Sequence, residues 1–227
     1  MKNMIFGLML MLSIGSCSVL QEIALQPSTY ETISAVKEVM NSSAFRAIAA
    51  LQKMGDGGVE AFLPKEIQPV LNTMKTLGLG KEIDKVSGQI GSVAKIVGSE
   101  GSGIMADAIK EVDLGDAVSI VVGGEDAATA VLKQAMYATV KKRYSTRIDA
   151  ELDKSGPEAK QYWPMAVGAY NMFSDNKIEG TLSDFIAERS VDAAFLAMGK
   201  EEGKIRKDPA SLGKDVVTKV WDYYNKK

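Results

Sequence analysis

From Ile33 the apolar residues advance by threes and fours, through Val36, Met40, Ala44, Ala47, Leu51 and Met54. That spacing gathers them on one stripe of an α-helix, whereas a strand would scatter them over both faces. Ser28-Thr29-Tyr30-Glu31 precedes the stripe in the pattern of a capping box, where a hydroxyl accepts from the third helical amide and the acid reaches back. Gly55-Asp56-Gly57-Gly58 ends it.

The same grammar recurs along the chain. Pro64 suits a first helical turn, Ile67, Val70, Leu71, Met74 and Leu77 make the face behind it, and Gly78 is placed to cap it. Ile83, Val86, Ile90, Val93 and Val97 stripe a third helix, which Gly88 and Gly91 weaken by about 1 kcal/mol each, so that it either packs closely there or is locally loose. Residues 99–103 read as a glycine-rich connector to a short helix carrying Ile104, Ala108, Ile109 and Val112. Asp113 is expected to cap the next helix, with Asp116 three residues on, and Gly123-Gly124 to break it. A long helix over about 125–152 turns Val131, Leu132, Ala135, Met136, Val140 and Ile148 inward. After a loop at 153–157, a helix over roughly 158–173 is disturbed at Pro164, and 174–180 is again a loop. Thr181 caps a helix reaching about Lys207, with Leu182, Phe185, Ile186, Ala194, Phe195, Met198 and Ile205 inside. Pro209 opens the last, which carries Val216, Val217, Val220, Trp221 and Tyr224. The reading is all-α, a single compact multi-helix domain of about eight or nine helices over residues 28–227. No internal repeat and no Pro-, Gly- or Ser-rich linker divides it.

Ahead of that domain stands a different composition. Lys2 precedes an apolar stretch from Ile5 to Leu12, too short for the roughly 20 residues that span a bilayer and right for the core of a secretory signal. Small residues follow, and Ile14-Gly15-Ser16-Cys17 resembles a bacterial lipobox, in which cleavage precedes a cysteine that carries diacylglycerol. An ordinary signal peptide with an incidental cysteine is the alternative. The lipobox reading divides the chain into a lipoprotein signal peptide (1–16), a lipid-anchored tether (17–27) and the helical domain. Three fatty acyl chains of the palmitate type make such an anchor effectively permanent, because each buried methylene contributes about 0.8 kcal/mol. Ser18 in place of an Asp favours the outer membrane, with the domain facing the periplasm.

Cys17 is the one cysteine, so an acylated chain has neither a disulfide nor a free thiol. There are 0 histidines. That removes the usual general base of serine and cysteine hydrolases, every histidine-containing zinc site and the Glu-x-x-His pairs of di-iron bundles. A net charge of −2, with both signs interspersed, argues against a nucleic-acid surface. Lys141-Lys142-Arg143 and Lys204-Ile205-Arg206-Lys207 sit among acids and read as solvated helix faces. No metal, no cofactor and no catalytic residue is expected.

Some segments invite other readings. Residues 117–122 have the composition of a strand, and Gly101-Ser102-Gly103 ahead of them, with Glu125 and Asp126 beyond, imitates a dinucleotide-binding turn. An open parallel sheet needs more strands than this chain supplies, so a helix connector is the plainer reading. Ser-x-x-Lys occurs at Ser34/Lys37, Ser92/Lys95 and Ser211/Lys214 without a Lys-Thr-Gly partner, which indicates chance. Residues 175–180 begin like a calcium loop, but Ile186 stands where a bidentate acid is required.

Other runs carry a likeness. Pro64-Lys65-Glu66-Ile67, Leu77-Gly78-Leu79-Gly80, Asp107-Ala108-Ile109, Gly123-Gly124-Glu125-Asp126-Ala127-Ala128-Thr129, Asp192-Ala193-Ala194-Phe195 and Glu201-Glu202-Gly203-Lys204-Ile205-Arg206-Lys207-Asp208-Pro209 are similar to a bacterial lipoprotein family, domain of unknown function four-one-nine-seven. The resemblance covers roughly residues 62–210, with departures at residues 88–94 and about 154–165. It implies an exported, all-helical protein, often lipid-anchored, with no assigned activity, and it favours a helix at 117–122.

Within those runs Glu202 and Arg206 lie four apart in the acid-first order that stabilises a helix. They read as a helix-stabilising pair or a polar tie between helices. The sharper reading is a polar site where Arg206 holds an anion, with Glu201, Glu202 and Asp192 beside it. The function expected is a non-catalytic binding or scaffold module, held to the membrane through its N-terminal lipid and meeting a protein or hydrophobic partner. A helical carrier of a hydrophobic or lipid ligand is the alternative, suggested by 12 methionines. A carboxylate-only enzyme relying on Glu201 or Glu202 comes third.

Overall fold

The computed structural model describes residues 26–54, 75–155 and 157–225. The signal peptide, Cys17, nearly all of the tether and the body of the helix expected from Pro64 lie outside the described residues.

Within them the chain is all-α, with no strand. The helices are α1 (Thr29–Met54), α2 (Gly80–Glu111), α3 (Ala117–Val121), α4 (Ala127–Ser155), α5 (Pro157–Phe173), α6 (Leu182–Lys207) and α7 (Asp215–Asn225). A π-turn at Lys75–Leu79 precedes α2, and a 3₁₀ turn at Pro209–Leu212 precedes α7.

α1 starts where the capping box puts it. Ser28 Oγ accepts from the Glu31 amide (3.2 Å), and Glu31 Oε2 accepts from the Ser28 amide (2.8 Å). The helix runs through the centre of the fold, packed against α2, α6 and α7 and touching α3 and α4. Val36, Met40, Ala44 and Ala47 are buried as the periodicity requires, and Ala35, Val39 and Ile48 are buried beside them, because a helix enclosed on several sides needs a wide apolar face. Thr32 and Ser43 are also buried, their hydroxyls donating one turn back to Ser28 O (3.0 Å) and Val39 O (2.7 Å).

α2 crosses α1 antiparallel. Lys37 Nζ donates to the Lys110 carbonyl (2.9 Å), while a Cβ placed on Gly98 would meet Gln52 Cγ at 3.7 Å. The connector expected at 99–103 is a correction: those residues are helical, and α2 continues to Glu111. Gly101 serves close packing, since a Cβ there would overlap Tyr144 Oη of α4 and stand 3.5 Å from Ile48 Cδ1 of α1, whereas a Cβ on Gly103 would meet nothing within 4 Å. With 101–103 inside a helix, the dinucleotide turn has no structural basis, and residues 117–121 form α3.

Smaller corrections follow from side-chain geometry. The cap of α3 is Asp116, whose carboxylate accepts from the Ser119 amide (3.1 Å); Asp113 instead accepts from Gly115 N (3.0 Å). Ala135 is exposed, and α4 points Ala128, Leu132, Val140, Tyr144, Ile148 and Leu152 inward. α4 extends to Ser155, α5 begins at Pro157, and Pro164 sits inside α5 without ending it. Pro209 opens a 3₁₀ turn closed by Gly213 (φ 62°), and only then does α7 begin. In α6 all seven residues expected inside are buried, behind a capping box between Thr181 and Asp184.

α5 is held to α2 through Glu158, which accepts from Lys85 Nζ (2.6 Å) and Gln89 Nε2 (2.5 Å). Those two donors, Lys85 first, bring its carboxyl from the usual 4.5 down to about 2. A carboxylate with a depressed pKa supports the fold above its unfolded value and loses that support as pH falls through the folded one. Amide exchange in the first turns of α5 is therefore expected to accelerate as pH drops from about 4.5 towards 2, once corrected for intrinsic rates. A Glu158→Gln protein should show that faster exchange already at neutral pH. Equal exchange in the two proteins there would show that this contact does not hold α5.

Candidate functional site

Every helix leaves its first amides and last carbonyls without intrahelical partners. α3 ends and α4 begins within a few residues, so the turn through Gly123-Gly124-Glu125-Asp126 brings the carbonyl end of one helix close to the amide end of the next. Glu202 and Arg206, one turn apart on α6, fill that gap.

Glu202 Oε1 accepts from the Ala128 amide (2.9 Å), and Oε2 accepts from the Thr129 amide and hydroxyl (both 2.7 Å). Arg206 Nε donates to Oε1 of Glu202 at 2.8 Å. Its Nη1 and Nη2 donate to the carbonyls of Val121 and Ile120, both at 2.8 Å. A carboxylate thus meets the amide end of α4 and a guanidinium the carbonyl end of α3, each the sign that its helix dipole favours. Glu202 is 1 % exposed, and the Arg206 guanidinium lies 5.4 Å from the ring of Trp221 on α7. The Trp221 indole N–H is buried and finds no acceptor among the described residues, so it is the face of the ring that serves this cluster.

Two glycines of α6 face the turn, and Gly199 is the one whose missing side chain permits the close approach. A Cβ on Gly199 would sit 3.2 Å from Asp126 Cβ, and one on Gly203 would sit 3.4 Å from Glu125 Oε2. Lys207 then pairs with Glu125 at 2.9 Å on the outside. Periodicity alone missed Thr129, Gly199, Gly203 and Trp221 as parts of this cluster. The signals were a threonine at the third position of a helix that follows a glycine turn, and a Gly-x-x-x-Gly spacing.

The other candidates stand apart. Glu201 pairs with Lys204 (2.6 Å). Asp192 lies about 15 Å up the helix axis from Glu202. It is exposed, pairs with Lys133 (3.3 Å), and that ammonium lies over Tyr137 (5.4 Å) and Phe195 (5.9 Å). Burial, and then Asp192, push the Tyr137 phenol up to about 12. Cys17 lies outside the described residues.

As chemistry, the Glu202–Arg206 cluster is a clamp. Two amides, a hydroxyl and a guanidinium occupy the carboxylate, and the guanidinium is itself turned onto backbone carbonyls. Elsewhere an open groove of about 590 Å³ runs between α2 and α4, past Ile104, Thr139, Thr146 and Ala150. Its arginines are engaged too: Arg143 holds both oxygens of Glu111 (2.7 and 2.8 Å), and Arg147 holds Glu100 and Glu151. Among the described residues no three potential ligand side chains gather as a metal site, and no helix is long and apolar enough to cross a membrane.

Together these features define an all-α protein in which α6 clamps the turn between two other helices. The chain belongs to the family described as Protein of unknown function (DUF4197), whose profile matches residues 26–222. The match reaches beyond the segment read from sequence motifs and takes in α1, the centre of the core, and most of α7. Among curated proteins and among solved structures, nothing matches the chain.

Proposed function

We propose that this chain is a lipid-anchored protein of the bacterial cell envelope, tethered through Cys17 to the outer membrane and facing the periplasm, where its helical domain binds or scaffolds a partner without catalysing a reaction. The observation that carries this reading is Cys17 itself, placed where the apolar stretch ends in small residues and followed by a short leash to α1. The absence of histidine from the sequence supports a non-catalytic role, as does the inward commitment of Glu202 and Arg206.

Cys17→Ala is expected to move the protein from the membrane pellet to the soluble periplasmic fraction, and mass spectrometry of the native N-terminal peptide should find acyl chains on Cys17. A native protein that is already soluble, with its thiol unmodified, would sink the anchoring. Crosslinking in intact cells tests the binding role, which predicts a discrete crosslinked species; none across several growth conditions would count against it.

A further inference from the structure

We infer that the end of the domain formed by the start of α1, the C-terminal turns of α7 and the exposed valines of α3 rests against the lipid headgroups of the membrane that holds the anchor. This rests on the acylation of Cys17 proposed above. Three observations point to it.

The first is the leash. Pro27, two residues before the first residue of α1, is buried against the domain, and whatever conformation they adopt, residues 17–27 reach at most about 35 Å. A leash of that length keeps this end of the domain at high effective concentration at the bilayer surface.

The second is which end that is. Lys219 pairs with Glu31 (2.6 Å) and Lys214 with Glu38 (3.6 Å), so α7 runs antiparallel to α1 and its last turns project past the first residue of α1. α3 belongs to the same end, because Arg206 joins its last carbonyls to Trp221, two residues beyond Lys219. The opposite end is far away. Gly98 stands beside Gln52, about 33 Å along α1 from Tyr30, and α2 continues beyond that level to Lys85 and Gln89, which hold α5.

The third is what the tethered end presents. Tyr30 is 80 % exposed at the first turn of α1. Tyr223 and Tyr224, set edge to face at 5.0 Å, are half-buried at the end of α7. Val118 on α3 and Val122, the residue that caps its C-terminus, are 37 % and 57 % exposed. Rings with an apolar body and a polar tip suit the headgroup layer, where Tyr is enriched.

Cys17 is the one cysteine, so in acylated protein a single introduced cysteine is the sole thiol to label. Full-length acylated protein carrying Tyr30→Cys, Asn225→Cys or Met165→Cys would be labelled with an environment-sensitive fluorophore. It would then be placed in vesicles of phosphatidylethanolamine and phosphatidylglycerol. The expected result is blue-shifted emission and severalfold protection from aqueous iodide at positions 30 and 225, with neither at 165 on α5. Label uptake by the wild-type protein would show a free Cys17 and overturn the anchoring, and this inference with it. Acylated protein with water-like emission at all three positions would overturn this inference alone. A shift that appears without vesicles and grows with protein concentration would assign the face to a second copy of the chain and overturn it as well.

Discussion

Glu202→Gln is expected to destabilise the domain by about 3–5 kcal/mol, the cost of removing one partner from a buried ion pair. The Gln side chain keeps the volume but offers one carbonyl oxygen where the carboxylate offered two, and its amide would face the Ala128 or Thr129 N–H, donor against donor. Arg206, 9 % exposed at its side chain, would keep its charge without a counter-ion. For a domain of this length the melting temperature should fall by roughly 6–20 °C. Thr129→Val removes only the hydroxyl bond and should cost less, about 1.5–3 kcal/mol. Replacing Arg206 by Met and combining it with Glu202→Gln should give a double mutant less destabilised than the sum, with a coupling of about 0.5–3 kcal/mol. Thermal and urea unfolding measure all of this. Melting within a degree or two of wild type for Glu202→Gln would mean that α6 does not clamp the α3–α4 turn, and would return the pair to the role of a ligand site.

The same cluster marks how far sequence reasoning reaches. The acid-first spacing of Glu202 and Arg206 was legible because both lie on one helix and the rule that joins them is local. Their partners were not, since Ala128 and Thr129 lie 74 and 73 residues away and no period connects a helix to the end of another. The Ser28/Glu31 capping box and the Thr181 cap were legible for the same local reason, and the structure adds the return bond to Asp184. Asp113 and Asp116 show the limit of even that rule: both residue types suit a cap, and only the backbone decides which side chain meets an orphan amide. Ala135 went astray because alanine is apolar enough to join a stripe and small enough to cost little when exposed.

The glycine-rich stretch of α2 is the sharpest case, because glycine has two opposite meanings. It breaks helices by its backbone freedom, and it lets helices approach by its lack of a side chain. Local reasoning names both and has no means of choosing between them. Gly101 belongs to the second class, and the residue that decides this, Tyr144, is far along the chain on α4 and 3 % exposed.

Gly101→Ala tests that assignment, and its expected cost is about 2–3 kcal/mol despite the better helix propensity of alanine, worth about 1 kcal/mol on its own. The new methyl would overlap Tyr144 Oη, closer than atoms tolerate, so either the ring or the α2–α4 spacing must shift. Burial raises that phenol to about 12, so it stays protonated through the neutral range and the effect is steric. Tyr144→Phe removes the clashing oxygen and leaves Cζ at 3.3 Å and Ile48 Cδ1 at 3.5 Å, distances that a small adjustment accommodates. In the Tyr144→Phe background the alanine should therefore be close to neutral, a coupling of about 2 kcal/mol between two residues on different helices. Urea unfolding of the wild type, both single variants and the double variant measures it. An alanine equally costly in both backgrounds would place the strain elsewhere, and an alanine that stabilises the wild type would restore residues 99–103 to the loose connector that their composition suggests.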